Sequence, residues 1–216
     1  MVRFSVPAQS AERIGGEAVM SHNPISIENG RLLIHGLQRR DLDSLSAMRR
    51  DRLVYRCEPV YLTELQGSPE TALESLRTMD LYKDRQCIMG VYEKTDPEAL
   101  VGLAELYDFK PSGKVISIGY RFRSEKWGKG IGTCCVQALL DFIEHKTEVE
   151  LVTAHVLPEN QASARCLLKN GFEYLLTKKE DWGYDRESVA DVYTYDCLRP
   201  NGQGRRVSRT TKAPAC

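Results

Sequence analysis

Three glycines at alternate positions form the part of this sequence with the clearest chemical potential. They stand at 128, 130 and 132 in Glu125-Lys-Trp-Gly-Lys-Gly-Ile-Gly-Thr133, which follows a strand-like run and opens a helical pattern. Glycines at this spacing let successive backbone N–H groups point into one concavity, and a helix N-terminus adds unpaired donors and partial positive charge. The segment predicts a cradle for an anion such as a diphosphate. The alternative is a tight turn that binds nothing.

Two lysines flank these glycines, and we expect Lys126 and Lys129 to add positive charge at the rim. Other glycine-rich phosphate loops fit poorly. The P-loop pattern GxxxxGK[ST] is absent, and the segment follows several strand-like runs, whereas the Rossmann loop follows the first strand.

A second informative segment is Val156–Phe172. Here a strand pattern ends near Asn160, and a helical pattern continues to Gly171. Asn160 can cap that helix while its amide faces a ligand. Asn170-Gly171 is a helix-stop signal, and Phe172 then begins the next strand-like run.

The elements that must position these segments follow one order along the chain. Strand-like runs come first, and a strand–helix–strand–helix succession follows, which is typical of an α/β sheet of mixed direction. One helix is predicted to begin at Asp41. A second is predicted to begin after Ser68, with Ser68 as its N-cap and Pro69 at its first position. Further helices are predicted at 130–145 and 160–169, and strands at 31–37, 86–92, 100–107, 114–122, 149–156, 172–178 and 189–197.

Composition narrows the class of protein. The 216 residues carry 30 basic and 30 acidic side chains and are 42% hydrophobic, which fits one domain with tails and argues against a nucleic-acid or membrane-surface protein. The seven cysteines include no CxxC pair, which indicates reduced thiols. We therefore expect a cytoplasmic protein without a zinc site. No secretory signal, long apolar run or GxSxG nucleophile motif is found.

The charge distribution predicts the domain boundaries. Residues 1–29 are expected to be a flexible extension, 30–198 the folded domain, and 199–216 a disordered tail with five basic and no acidic residues. That tail is either a solvated chain end or a segment that recruits RNA or the ribosome.

The order of these motifs resembles the GNAT superfamily of acetyl-CoA-dependent N-acetyltransferases, and within it the RimJ/RimL-like branch. The resemblance covers about residues 30–198 and rests on Ile118-Gly-Tyr120 before the glycines, on the Asn160 and Asn170-Gly171-Phe172 segment, and on Asp191-Val-Tyr193. It implies a GNAT fold of the α/β (α+β) type. Such a fold has a mixed, mostly antiparallel sheet of about seven strands, about four flanking helices and two splayed parallel strands at the coenzyme site.

The resemblance also implies acetyl-CoA as co-substrate, no metal, and direct attack of the acceptor amine on the thioester in a ternary complex. The pantetheine arm would bond to the backbone of the strand that ends near Phe122. The coenzyme-binding residues that the resemblance implies are Phe122, Arg123, Trp127, Gly128, Lys129, Gly130, Ile131, Gly132, Thr133, Asn160 and Ser163.

The catalytic groups are less well defined by the resemblance. Many members have a tyrosine acid where Leu167 stands here, and in the RimJ/RimL-like pattern Ser163 takes that role. A glutamate base is common where this chain has Ser117, so the substitutes are Glu105 on the preceding strand and Glu180 or Asp181 before the last strand. A water relay to a distant carboxylate is an alternative base, and Ser163 could instead be a helix first-turn residue.

The acceptor is expected to be a protein N-terminus or a small amine, with a homodimer possible and with neither nucleic acid nor membrane as partner. An acceptor groove could include Tyr120, Trp182, Tyr184 and Tyr193. His155, on the strand beside the coenzyme, is either structural or a base. The alternative function is a non-catalytic acyl-CoA sensor, which the residues at 117 and 167 motivate.

Overall fold

A computed structural model describes residues 25–184 and 187–199, together with the backbone of three short strands before them. The strands are β1 (Arg3–Ser5), β2 (Glu12–Ile14), β3 (Glu17–Val19), β4 (Ser26–Glu28), β5 (Leu32–His35), β6 (Cys87–Glu93), β7 (Asp96–Lys110), β8 (Val115–Phe122), β9 (Leu151–Val156), β10 (Glu173–Lys179) and β11 (Val189–Asp196). The helices are α1 (Leu42–Arg50), α2 (Arg52–Tyr55), α3 (Pro69–Thr78), α4 (Leu81–Asp84), α5 (Ile131–Lys146) and α6 (Gln161–Lys169).

The main sheet has the strand order β1-β4-β5-β6-β7-β8-β9-β11-β10, while β2 and β3 form a separate hairpin. All neighbours are antiparallel except β8 and β9. The predicted mixed, mostly antiparallel α/β sheet is therefore confirmed, with nine strands where about seven were expected. The two additional strands at one edge are β1 and β4.

The sheet begins before residue 30, because β4 pairs with β5. The division into extension, domain and tail otherwise stays a prediction. Of the N-terminal extension, residues 25–29 and the backbones of β1, β2 and β3 are described, and the basic tail after residue 199 lies outside the described residues.

The two parallel strands separate after a short contact, and this opening positions the site. Residues 115–117 of β8 pair with residues 151–153 of β9. Beyond them, β8 stays paired with β7 as far as Phe122, and β9 stays paired with β11 as far as Val156. The predicted splay near Phe122 and Val156 is present, and it leaves the facing backbone edges of both strands open.

The helices follow the local sequence signals. Ser68 caps α3 by accepting a hydrogen bond from the backbone N–H of Thr71, and Pro69 opens the helix, as predicted. The face that carries Ala72, Leu73 and Leu76 is buried. Through this face α3 packs beside α1 and β6.

Helix α5 carries the largest helical contribution to the core, and nine of its residues are buried. They include Cys134 and Cys135, which pack as small hydrophobes, and none of the six cysteines in the described residues forms a disulfide. Among the described helices, none has the length and apolarity that a membrane crossing needs.

Candidate active site

The glycine turn, residues 125–133, has the backbone conformation that its sequence predicts. Gly128 and Gly130 have φ values of 73° and 78°, in the left-handed region that side chains with a Cβ rarely occupy. Gly130 is the N-cap of α5, which begins at Ile131, and no side chain caps this end of the helix.

The backbone N–H groups of residues 128–133 are free to bind a ligand. In the described structure, none of these six donates a hydrogen bond, and the first helical bond runs from Cys134 N–H to the Gly130 carbonyl over 3.1 Å. Unpaired donors at the start of a 16-residue helix attract an anion through both hydrogen bonding and the helix dipole. The turn has the donors of an anion cradle.

Side chains from distant segments hold the turn in place. The Asn170 amide donates to the Thr133 carbonyl at 3.2 Å, and the Arg31 guanidinium donates to the Lys129 carbonyl at 2.7 Å. Arg31 also pairs with Glu93 at 3.0 Å, and Glu93 in turn pairs with Lys126 at 2.8 Å. One carboxylate is thus shared by two cations, and the expectation that Lys126 adds positive charge at the rim stays a prediction.

A cavity of about 460 Å³, the cradle cavity, lies beside the turn. The cationic side chains that line it are Arg56, Arg121, Lys126, Arg165 and Lys169, whereas Lys129 does not line it. Arg165 and Lys169 are four residues apart on α6, so they share one helix face. Sequence reasoning missed this pair, although its spacing on a predicted helix was a readable signal.

The backbone at the end of β8 is partly occupied. Arg123 N–H donates to the Val101 carbonyl at 3.0 Å, and its carbonyl accepts from Lys126 N–H at 2.9 Å. Because successive residues of a strand direct their polar groups to opposite sides, the groups of Phe122 face the opening. The Phe122 carbonyl accepts from the Trp127 indole at 2.9 Å. The free backbone donor at this strand end is therefore the Phe122 N–H, and the expected contact through the Arg123 backbone stays a prediction.

A second cavity of about 300 Å³, the carboxylate cavity, lies on the other side of the opening between β8 and β9. Four carboxylates line it, together with one arginine, one histidine and several aromatic side chains. The charged and histidine side chains are Glu58, Glu105, Asp108, Glu180, Arg121 and His155. Acidic groups outnumber cations there, so the cavity suits a positively charged guest.

Six residues line both cavities, and we refer to them as the junction. They are Cys57, Glu58, Tyr120, Arg121, Asn160 and Ser163. A group carried into the cradle cavity would meet a molecule in the carboxylate cavity at this place, so the junction is the candidate centre of reaction.

Two hydroxyl groups meet at the junction. Ser163 Oγ lies 3.0 Å from the hydroxyl of Tyr120, and the backbone N–H of Ser163 donates to Asn160 Oδ1 at 3.2 Å, so Asn160 caps α6 as predicted. Burial raises the pKa of Tyr120 well above its usual value. Tyr120 therefore keeps its proton at neutral pH and can donate it.

Two of the carboxylates that the sequence indicated as bases, Glu105 and Glu180, accept hydrogen bonds from other side chains. The Glu180 carboxylate accepts one from His155 Nδ1 at 2.9 Å. Burial acts to raise the pKa of Glu180, but the bond to His155 and the nearby cations lower it overall. Glu105 accepts from Arg121 at 2.8 Å, and burial raises its pKa despite that guanidinium. Neither carboxylate lies at the junction.

Arg121 is the centre of a buried cluster of carboxylates that sequence reasoning missed. Its guanidinium, 3% exposed, donates to Glu64 at 2.7 Å and to Glu105 at 2.8 Å, and its Nε lies 3.7 Å from Glu58. Burial raises the pKa of Glu58 to about 7, because desolvation outweighs the attraction of Arg121. An arginine within the otherwise apolar run of β8 was the one signal in the sequence.

The aromatic residues expected in an acceptor groove have different positions. Trp182 is buried and lines the carboxylate cavity, as Tyr120 does. Tyr184 lines neither cavity but donates its hydroxyl to the Glu58 carbonyl at 2.6 Å. Tyr193 packs against the ring of Tyr174, away from both cavities.

Comparison with known proteins agrees with this geometry. Residues 31–173 match the family model described as an acetyltransferase (GNAT) domain. The uncharacterized N-acetyltransferase YoaA of Bacillus subtilis (strain 168) is 23% identical over 175 residues, which are 81% of this chain and 97% of YoaA.

Two solved structures share the fold. Mycobacterium smegmatis RimJ in complex with CoA-disulfide aligns with a TM-score of 0.68 and 18% identity, over 80% of this chain and 85% of RimJ. The spermidine N-acetyltransferase from Vibrio cholerae in complex with CoA and spermine aligns with a TM-score of 0.63 and 20% identity, over 76% of this chain and 95% of that protein.

Proposed function

The chain belongs to the GNAT family of N-acetyltransferases, and we propose that it transfers the acetyl group of acetyl-CoA to a primary amine by direct attack in a ternary complex. The observation that carries this proposal is the meeting of two cavities at the junction, one beside an anion cradle and the other rich in carboxylates. A thioester and an amine can approach each other there without a covalent enzyme intermediate.

For the coenzyme we propose the following residues. The free N–H groups of residues 128–133 would bind the diphosphate, with Arg165 and Lys169 as additional cations, and Phe122 N–H would bond to the pantetheine arm. Trp127 would cover one wall of the cradle cavity, and Asn160 would line its inner end. When bound, acetyl-CoA supplies the activated acetyl group.

For proton donation to the leaving thiolate, we propose Ser163 together with Tyr120. The residue where many family members carry a tyrosine is Leu167, which is fully buried, and Ser117 bonds to Thr153 between the parallel strands. Tyr120 instead brings a phenol to the junction from β8. The presence of this hydroxyl pair supports an enzyme over the acyl-CoA sensor that the residues at 117 and 167 motivated.

The acceptor that the cavity favours is a cationic amine. Its four carboxylates outnumber its one arginine and one histidine, so the cavity attracts an ammonium group. Its volume of about 300 Å³ accommodates a small amine or the end of a peptide. We propose polyamines such as spermidine as the first acceptors to test, because one structural neighbour acts on spermidine. Protein N-termini are the second class, as the RimJ/RimL-like resemblance implies. A cytoplasmic location, and a homodimer without nucleic-acid partners, remain proposals.

Calorimetric titration of acetyl-CoA and CoA, followed by thiol release against amines, tests the function. The panel contains spermidine, peptides with free N-termini, an aminoglycoside and free amino acids. Binding with acceptor-dependent thiol release would establish the transferase. Binding without release across the whole panel would support the sensor, and no binding would refute the assignment of the cradle.

Ser163→Ala is expected to lower kcat about 10- to 100-fold while the Kd for acetyl-CoA changes less than about threefold, because the hydroxyl acts on the leaving thiolate. Tyr120→Phe should show the same split. The double variant should lose no more than the larger single loss, since the two hydroxyls act as one relay. Steady-state kinetics and calorimetry measure both quantities. Equal losses of kcat and affinity in Ser163→Ala would instead indicate a structural helix-cap residue.

A further inference from the structure

We propose that Glu58 is the general base that removes the proton from the acceptor ammonium, and that Arg121, Glu64 and Glu105 are positioning residues that hold it at the junction. This inference rests on the proposed function and adds to it the missing base. Glu58 follows α2 in a segment without a recognisable motif, so its sequence context gives no sign of this role.

The position of Glu58 separates it from the other carboxylates of the carboxylate cavity. Among the described residues that line that cavity, Glu58 is the one carboxylate that also lines the cradle cavity. Glu105 and Glu180 line the carboxylate cavity alone. A base must reach the attacking nitrogen while that nitrogen faces the thioester, and only the junction adjoins both ligands.

The hydrogen bonds of the cluster leave Glu58 available. Arg121 gives one terminal nitrogen to Glu64 and the other to Glu105. Its Nε, which faces Glu58 at 3.7 Å, has no hydrogen-bond partner within the described residues. The Glu58 carboxylate therefore lies within the field of the guanidinium and is not committed to it by a hydrogen bond.

The backbone of Glu58 is fixed on both sides. Its N–H donates to the Tyr55 carbonyl at 3.2 Å, and its carbonyl accepts from the Tyr184 hydroxyl at 2.6 Å. The side chain is 21% exposed, which leaves a route for the proton to solvent. A fixed backbone with a partly accessible carboxylate is the arrangement that a base needs.

The titratable and charged groups around Glu58 come from four neighbouring elements. Arg121 faces it from β8, Glu105 and Tyr107 from β7, and Glu64 from the turn at Thr63–Leu65, while Tyr55 approaches from α2. Burial raises the pKa of Glu58 to about 7, and the two carboxylates add to that effect against Arg121. When the pKa of a base lies near the working pH, a large fraction of the base is ionised and the ionised form still accepts a proton readily.

The proton balance of the step is complete. The ammonium gives one proton to the Glu58 carboxylate, and the freed lone pair on nitrogen forms the N–C bond to the thioester carbonyl. When the C–S bond breaks, the thiolate receives a proton through the Ser163–Tyr120 pair, and the nitrogen loses its second proton to regenerate that pair. Glu58 then releases its proton to solvent.

The test compares the pH dependence of kcat/KM for the wild type, Glu58→Gln and Glu180→Gln. The acceptor is spermidine or, if spermidine is not acetylated, the amine of the panel that gives the fastest thiol release. The base must be ionised, so wild-type kcat/KM should rise as the pH passes about 7. We expect Glu58→Gln to lose about 100- to 1,000-fold at alkaline pH and to lose this rise. Glu58→Asp should keep the rise at a lower rate. Glu180→Gln should also keep the rise, although its kcat/KM falls at every pH because Glu180 lines the acceptor cavity.

Two outcomes separate this inference from the proposed function. The Kd of each variant for acetyl-CoA should stay within about threefold of wild type; a wild-type protein that binds no acetyl-CoA would refute the proposed function itself. Normal acetyl-CoA binding with an unchanged profile in Glu58→Gln, or loss of the rise in Glu180→Gln, would overturn the assignment of Glu58 alone. Thermal melting checks that each variant is folded.

Discussion

Replacement of Gly130 by glutamate is expected to abolish measurable acetyl-CoA binding, with a Kd at least about 100-fold above that of wild type. Two physical effects act together. The φ of 78° is strained for any residue with a Cβ, at a cost of about 1–3 kcal/mol. The new carboxylate would also stand among the N–H groups of residues 128–133 and repel a diphosphate there. Calorimetric titration of acetyl-CoA measures the loss.

Two control variants separate charge from strain. Gly130→Gln has the same shape without the charge, so it should bind at least about tenfold more tightly than Gly130→Glu. Gly67→Glu introduces a glutamate at another glycine with a positive φ, 61°, outside both cavities. It should cost similar stability and leave the Kd unchanged. Binding by Gly130→Glu within about threefold of wild type would contradict the cradle.

The cradle could be predicted from sequence because its causes are local. The glycine spacing, the strand before it and the helix after it lie within one short segment, and backbone sterics alone fix the turn. The same is true of Asn160 as a helix cap and of Ser68 before α3. β4 is different, because three residues are too few to show a periodic pattern, and only their pairing with β5 makes them a strand.

The charged groups of the site depend on tertiary contacts, and sequence reasoning therefore misplaced or missed them. The sequence predicts that Lys126 adds charge at the rim, and only the fold shows that it shares Glu93 with Arg31. Glu58, Glu64, Glu105 and Arg121 belong to four separate segments, and no spacing rule joins them. Side-chain pairing across such distances follows from the sheet register and from the path of the chain after α2.

Replacement of Arg121 by methionine is expected to lower the free energy of unfolding by about 3–5 kcal/mol, because it removes the cation from the fully buried Glu64 and from the largely buried Glu58 and Glu105. Glu64, which is fully buried, and Glu105 would each lose their bond to the guanidinium. Domains of this kind are stable by only about 5–15 kcal/mol, so much of the margin would disappear. Urea unfolding followed by circular dichroism measures the change.

The pH dependence of this loss gives a second, independent check. Without Arg121, the folded-state pKa values of Glu58 and Glu105 rise further above their unfolded values. A raised pKa means that the folded state holds its protons more tightly, so the stability of the variant falls as the pH rises through the folded-state pKa. The deficit of Arg121→Met should therefore be smaller at about pH 5.5 than at about pH 8. A deficit independent of pH would show that packing, and not charge, is the cause.

The decisive comparison adds Glu64→Gln and Glu105→Gln to Arg121→Met. The triple variant no longer has an unpaired buried charge at position 64 or 105, so it should recover most of the lost stability. A buried ion cluster often contributes little net stability over its neutral equivalent. If Arg121 positions Glu58, the same variant should still lose the rise in kcat/KM near pH 7. Recovery of both stability and the wild-type pH profile would mean that the cluster has no part in the reaction. Recovery of stability without recovery of the pH profile would mean that Arg121, Glu64 and Glu105 serve to hold Glu58 at the junction.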